Sequence, residues 1–129
     1  MRYGFFLFFT AFLMNTMLVA QDKKEEPEWE MKQYFFVMLK RGPNRGQDSV
    51  TAKKLQEGHM ANINRMAKEG KLAIAGPFGD NGDWRGIFIF DMKNMEDVKK
   101  EVEQDPAIQA GRLAYEIHPW WAGRGAKLP

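Results

Sequence analysis

Two stretches of this chain are apolar at consecutive positions: "YFFVMLK" at 34–40 and "WRGIFIFD" at 84–91. A half-buried strand alternates apolar with polar side chains, whereas a short run without alternation fits a strand buried on both faces. The first run is followed by "RGPNRG", which is turn chemistry. Any fold of this chain must set both runs in the middle of a layered structure and provide cover on two sides.

The segments around these runs supply the rest of the layers. From about Ser49 to Glu69, the residues Leu55, His59, Ile63 and Met66 recur at helical spacing, with Ser49 expected as N-cap and Gly70 as stop. "KLAIAGP" at 71–77 reads as a second strand, and "FGDNGD" at 78–83 as a reversal into the third, so that a hairpin is expected. "NMEDVKKEVEQ" places Met95, Val98 and Val102 on one helical face behind an Asn94 cap. "DPAIQAG" is a short turn or helical piece. "RLAYEIHPW" then alternates Leu113, Tyr115 and Ile117 against Ala114, Glu116 and His118, giving a fourth strand with one more polar face.

The order is β-α-β-β-α-β, the split βαβ arrangement of a ferredoxin-like α+β sandwich: a four-stranded antiparallel sheet with two helices on one face. The first and third strands are central in that topology, which agrees with the two doubly apolar runs. Two helices cover only one face, yet both faces are apolar, Phe36 and Met38 against Phe35, Val37 and Leu39, and Ile87 and Ile89 against Phe88 and Phe90, so several such side chains would stay in water. That forgoes about 1.5–3 kcal/mol for each side chain and leaves a patch larger than monomers usually tolerate. A second copy packed sheet to sheet is the commonest cover, and a homodimer is expected.

At 129 residues, with 44% hydrophobic and 28% charged content, the chain has room for one ordinary domain. Residues 1–20 carry Arg2, then an almost unbroken apolar run ending at the small residue Ala20. This pattern is that of a cleaved secretory signal, and export, to the periplasm, is expected. A retained anchor is the competing reading, since the run is near the short edge of a bilayer span. Residues 21–32 form a charged leader containing Pro27, the domain occupies 33–121, and 122–129 form a tail. Without Arg2 the formal balance is a single positive charge. That excludes nucleic acid as the main partner, and no membrane contact is expected after signal cleavage. The absence of cysteine removes disulfides and thiolate metal sites.

Few residues can carry chemistry: His59, His118, Asp105, Asp80 and Asp83. Two histidines without cysteine make a tetrahedral zinc site improbable, and no structural metal or cofactor is expected. His59 falls on the inward face of the first helix. It is either a buried histidine satisfied by one hydrogen bond or a general base oriented by a carboxylate. Asp105 precedes Pro106 and could simply cap a helix. His118 reads as a strand-end residue, and Trp120 and Trp121 as edge packing. "GPFGDNGDWRG" is glycine-rich but links two strands and opens no helix, so it is a weak phosphate loop.

The spacing from His59 to Gly70, then "KLAIAGP", then "DPAIQAG" and a last strand ending at Pro119, resembles the YciI-like (YCII-related) domain family of the dimeric α+β barrel group. The resemblance covers residues 33–121. It implies a dimer with a small pocket beside the sheet, in which His59 and Asp105 form an acid–base pair toward an unidentified small molecule. The implied activity is proton-transfer chemistry of isomerase or lyase type without a cofactor. A non-catalytic periplasmic module that binds a small ligand or only dimerises is the alternative.

Overall fold

In the computed structural model, which describes residues 29–129, the elements follow the order β1 (Met31–Arg41), α1 (Ser49–Lys68), β2 (Leu72–Pro77), β3 (Trp84–Phe90), α2 (Met95–Glu103), α3 (Pro106–Gln109) and β4 (Leu113–Gly123). The signal expected over 1–20 and most of the leader lie outside the described residues. The four strands form one antiparallel sheet in the order β2-β3-β1-β4, so the two doubly apolar runs are central, as their composition requires. This is the ferredoxin-like α+β architecture expected from the pattern.

Register assigns the faces. Phe35 pairs with Phe90, Val37 with Phe88 and Leu39 with Gly86 across β1 and β3. Those side chains share the helix face and build the core with Met66 of α1, Leu72 of β2, and Val98 and Val102 of α2. Phe88 and Phe90 meet edge to face, with centroids 6.0 Å apart. The opposite face has its own row, Ile74–Ile89–Phe36–His118, with Met38 and Ile87 beside it. No helix covers that row. Ile74, Phe36, Met38 and Ile87 remain half-buried, and Tyr34 leans on Trp120 at the end of the sheet.

Local chemistry sets the boundaries, and it differs from the sequence reading in places. Asp48, rather than Ser49, caps α1: its carboxylate accepts from the Thr51 backbone N–H at 2.8 Å. A carboxylate at this position also meets the positive end of the helix, which a hydroxyl does not match. Gly70 ends the helix with φ of 72°, a conformation costly for any residue with a Cβ. Asn94 caps α2 as expected, accepting from Asp97 N–H at 2.9 Å. β4 runs on through Pro119, Trp120 and Trp121 to Gly123. Its far end pairs with Met31 and Lys32 of β1, two residues assigned above to the leader.

One ionic cluster ties the helices to the sheet. Glu101 of α2 is buried and accepts from Arg65 of α1 at 2.7 Å and from Lys71, just before β2, at 2.6 Å. Burial alone would push its carboxyl up, but the hydrogen bonds from Lys71 and Arg65 outweigh that and hold it below the ordinary glutamate range. Its contribution is therefore complete above the unfolded-chain pKa and disappears as pH falls through the lower folded value. Changing Glu101 to Gln is expected to cost about 1–2 kcal/mol at neutral pH. Urea unfolding of E101Q and wild type should converge in acid. A gap of unchanged size in acid would show that the charge contributes nothing.

Candidate functional site

His59 sits in the third turn of α1, one residue after Gly58. A methyl group on Gly58 would lie 2.8 Å from Cγ of Pro106, so only glycine lets α1 close on the start of α3. That approach sets the His59 ring beside Asp105. Nδ1 lies 2.6 Å from Asp105 Oδ2, with Asp105 1% and His59 9% exposed. The other face of the ring stacks on Phe88 of β3, with centroids 6.0 Å apart and planes 25° apart.

Asp105 is at once a helix cap and the partner of the His59 ring, because its two oxygens do different work. Oδ1 accepts from the Ala107 backbone N–H at 2.8 Å and caps α3, while Oδ2 takes the imidazole. The cap fixes the carboxylate's orientation, and the carboxylate fixes the ring. A carboxylate accepts, so the neutral ring that satisfies this contact donates from Nδ1 and carries its lone pair on Nε2. Nε2 has no protein partner among the described residues. No fully buried side-chain nitrogen or oxygen there lacks one, so Nε2 is not completely sealed from solvent.

His59 lines a cavity of about 330 Å³ between α1, the helix face of β2 and β3, and the loops at that end of the sheet. Its walls are apolar where Met60, Ile63, Leu39, Phe88 and Leu113 line it, and polar where His59, Gln56, Arg45, Arg85 and Arg112 do. A concave, mostly apolar site with a few convergent polar groups is the usual form of a small-molecule pocket. A ring nitrogen with a free lone pair at the wall can accept a proton from a bound molecule and return it elsewhere.

The remaining candidates are not brought here. His118 stands on the uncovered sheet face, 61% exposed and 3.7 Å from Glu116. Asp80 and Asp83 are exposed in the β2–β3 turn and do not line the cavity. Trp120 and Trp121 are exposed within β4. Among the described residues no three histidines or acids gather closely enough to hold a metal ion. Sequence reasoning missed Gly58, Phe88 and the three arginines. A glycine inside a helix, where it costs about 1 kcal/mol relative to alanine, was the one available signal.

Fold and site together define a ferredoxin-like α+β protein with a histidine–aspartate pair at the wall of a small cavity. The chain belongs to the YCII-related domain family, which matches residues 14–121. Its fold is similar to that of 5-chloro-2-hydroxyhydroquinone dehydrochlorinase (TftG) from Burkholderia phenoliruptrix AC1100, solved in complex with 2,5-dihydroxybenzoquinone. The two chains are 21% identical over 67% of this chain and 92% of that one, with a TM-score of 0.50. Muconolactone isomerase is similar at 17% identity over 67% of this chain and 86% of that one, with a TM-score of 0.57. At such identities the likeness establishes the fold. No curated protein sequence matches the chain.

Gly58→Ala tests the close approach. Alanine gains about 1 kcal/mol of helix propensity against an overpacking cost of about 1–3 kcal/mol. A net loss of up to about 2 kcal/mol in urea unfolding is expected. A stabilised variant would show that α1 and α3 do not depend on the missing Cβ.

Proposed function

We propose that this protein is a small enzyme of proton transfer, acting by isomerisation or elimination on a cyclic or carbonyl-bearing small molecule. His59 is the catalytic base through Nε2, and Asp105 is the positioning residue that holds its tautomer and angle. The observation that carries this reading is the 2.6 Å contact of Nδ1 with a buried, capped carboxylate in a ring that lines an open cavity, its Nε2 without a partner among the described residues. A buried structural histidine has no need of an open second nitrogen. The names of two proteins of similar fold, a dehydrochlorinase and an isomerase, fit the same class of chemistry. The chain acts after export to the periplasm, a reading that rests on the pattern of residues 1–20.

The direct test follows solvent deuterium into cyclic ketones and unsaturated lactones by proton NMR. Exchange at a carbon next to the carbonyl is expected with the wild type. It should fall by about 100-fold or more in His59→Gln, the usual size of a lost acid–base group. Exchange that is absent throughout, or undiminished in a folded H59Q protein, would favour a ligand-binding module.

A homodimer packed through the uncovered sheet face completes the proposal. Phe36, Met38, Ile74 and Ile87 are half-buried there around the buried Ile89. Sedimentation velocity at micromolar concentration should give a dimer, and Met38→Lys a folded monomer. A wild-type monomer under those conditions contradicts the dimer.

A further inference from the structure

The cavity beside His59 has a polar side that proton transfer does not use. Among its lining residues are three arginines, Arg45, Arg85 and Arg112, and no acid among the described residues. They arrive from different places: Arg45 from the β1–α1 loop, Arg85 from β3, and Arg112 from the turn before β4.

What these guanidiniums touch is unusual for this chain. Arg65 pairs with Glu69 and Glu101, and Arg124 with Glu30. The three cavity arginines donate instead to neutral oxygens. Arg45 bonds the Arg112 backbone carbonyl at 2.8 Å, Arg112 bonds Gln47 Oε1 at 3.0 Å, and Arg85 bonds Asn81 Oδ1 at 3.1 Å and the Gly82 carbonyl at 3.2 Å. Neutral acceptors orient a guanidinium without cancelling its charge.

The backbone holds the cations together at a cost. Gly42 N–H donates to the Arg112 carbonyl at 3.0 Å and Asn44 N–H to the Gly111 carbonyl at 2.9 Å, which clamps the Arg45 loop onto the Arg112 turn. No side chain could replace Gly42, since a Cβ there would lie 2.0 Å from the Gly111 oxygen. Burial, then repulsion from Arg112, Arg41 and Arg85, pushes the Arg45 pKa below its ordinary value. Like charges gathered in a concave site raise the local concentration of the opposite sign.

We infer that the substrate of this cavity is a small organic anion, with a carboxylate or an equivalent anionic oxygen group held by Arg45, Arg85 and Arg112. The rest of the molecule lies against Phe88, Ile63 and Met60 and reaches Nε2 of His59. This rests on the cavity being the substrate site of the reaction proposed above. It adds a requirement for charge, because guanidinium and carboxylate match as a planar, two-point pair. The cavity, at about 330 Å³, suits a molecule with one small ring.

Benzoate and its neutral isostere benzamide are the probes, titrated into the full-length protein while arginine Nε–Hε resonances are followed by NMR. Benzoate is expected to move the Arg45, Arg85 and Arg112 signals, to bind about tenfold or more tightly than benzamide, and to weaken with added salt. Arg45→Gln with Arg112→Gln should lower benzoate affinity by about tenfold for each arginine, about 100-fold together, one charge-assisted hydrogen bond apiece. Benzoate binding is read without any turnover, so this result is independent of whether deuterium exchange occurs. Equal binding of benzamide and benzoate, or benzoate shifts confined to Arg65 and Arg124, would overturn the inference. If the double variant does not fold, the comparison of the two probes on the wild type decides alone.

Discussion

A single carboxylate, shared between a helix end and an imidazole, is the constraint on which the site depends. Asp105 is almost wholly withdrawn from water, a position that costs several kcal/mol for an ionised group unless its lone pairs are met. Both oxygens are met, one by the Ala107 N–H and the other by His59 Nδ1. Removing either partner leaves the other half of the arrangement without its reason. The cap orients the acid, the acid orients the ring, and the ring stands at the cavity wall.

Everything that brings these groups together is also part of what holds the domain up. Gly58 allows the helix contact, Phe88 supplies the flat surface against the ring, and the Glu101 cluster anchors α2, which leads directly into Asp105. Phe88 belongs at once to the hydrophobic core and to the site. Such overlap means that the geometry of His59 is set by packing rather than by a flexible loop.

Much of the fold could be read from the sequence because it rests on local periodicity. The doubly apolar runs around Phe36 and Ile89 specified the central strands, and the alternation from Leu113 to His118 specified an edge strand. His59 and Asp105 could be nominated because so few residues of those types are present, although 46 positions separate them and spacing alone left both with structural readings. Ser49 and Asp48 are both good caps, and only the backbone geometry chose between them. β4 outran its expected end because Pro119 lies in an edge strand, where a missing N–H is tolerated. The arginines were invisible for a different reason. Arg45, Arg85 and Arg112 lie far apart in the chain, and their common direction comes from tertiary closure; a near-neutral net charge concealed a site with a single sign.

The central claim concerns which ring nitrogen carries the proton. Selective ¹⁵N labelling of histidine, read at a pH where the ring is neutral, reports the tautomer directly. The account predicts that His59 is protonated at Nδ1, with a strongly downfield Nδ1–H proton that disappears in Asp105→Asn. A neutral His59 protonated at Nε2 in the wild type, or a spectrum unchanged by that substitution, would contradict it.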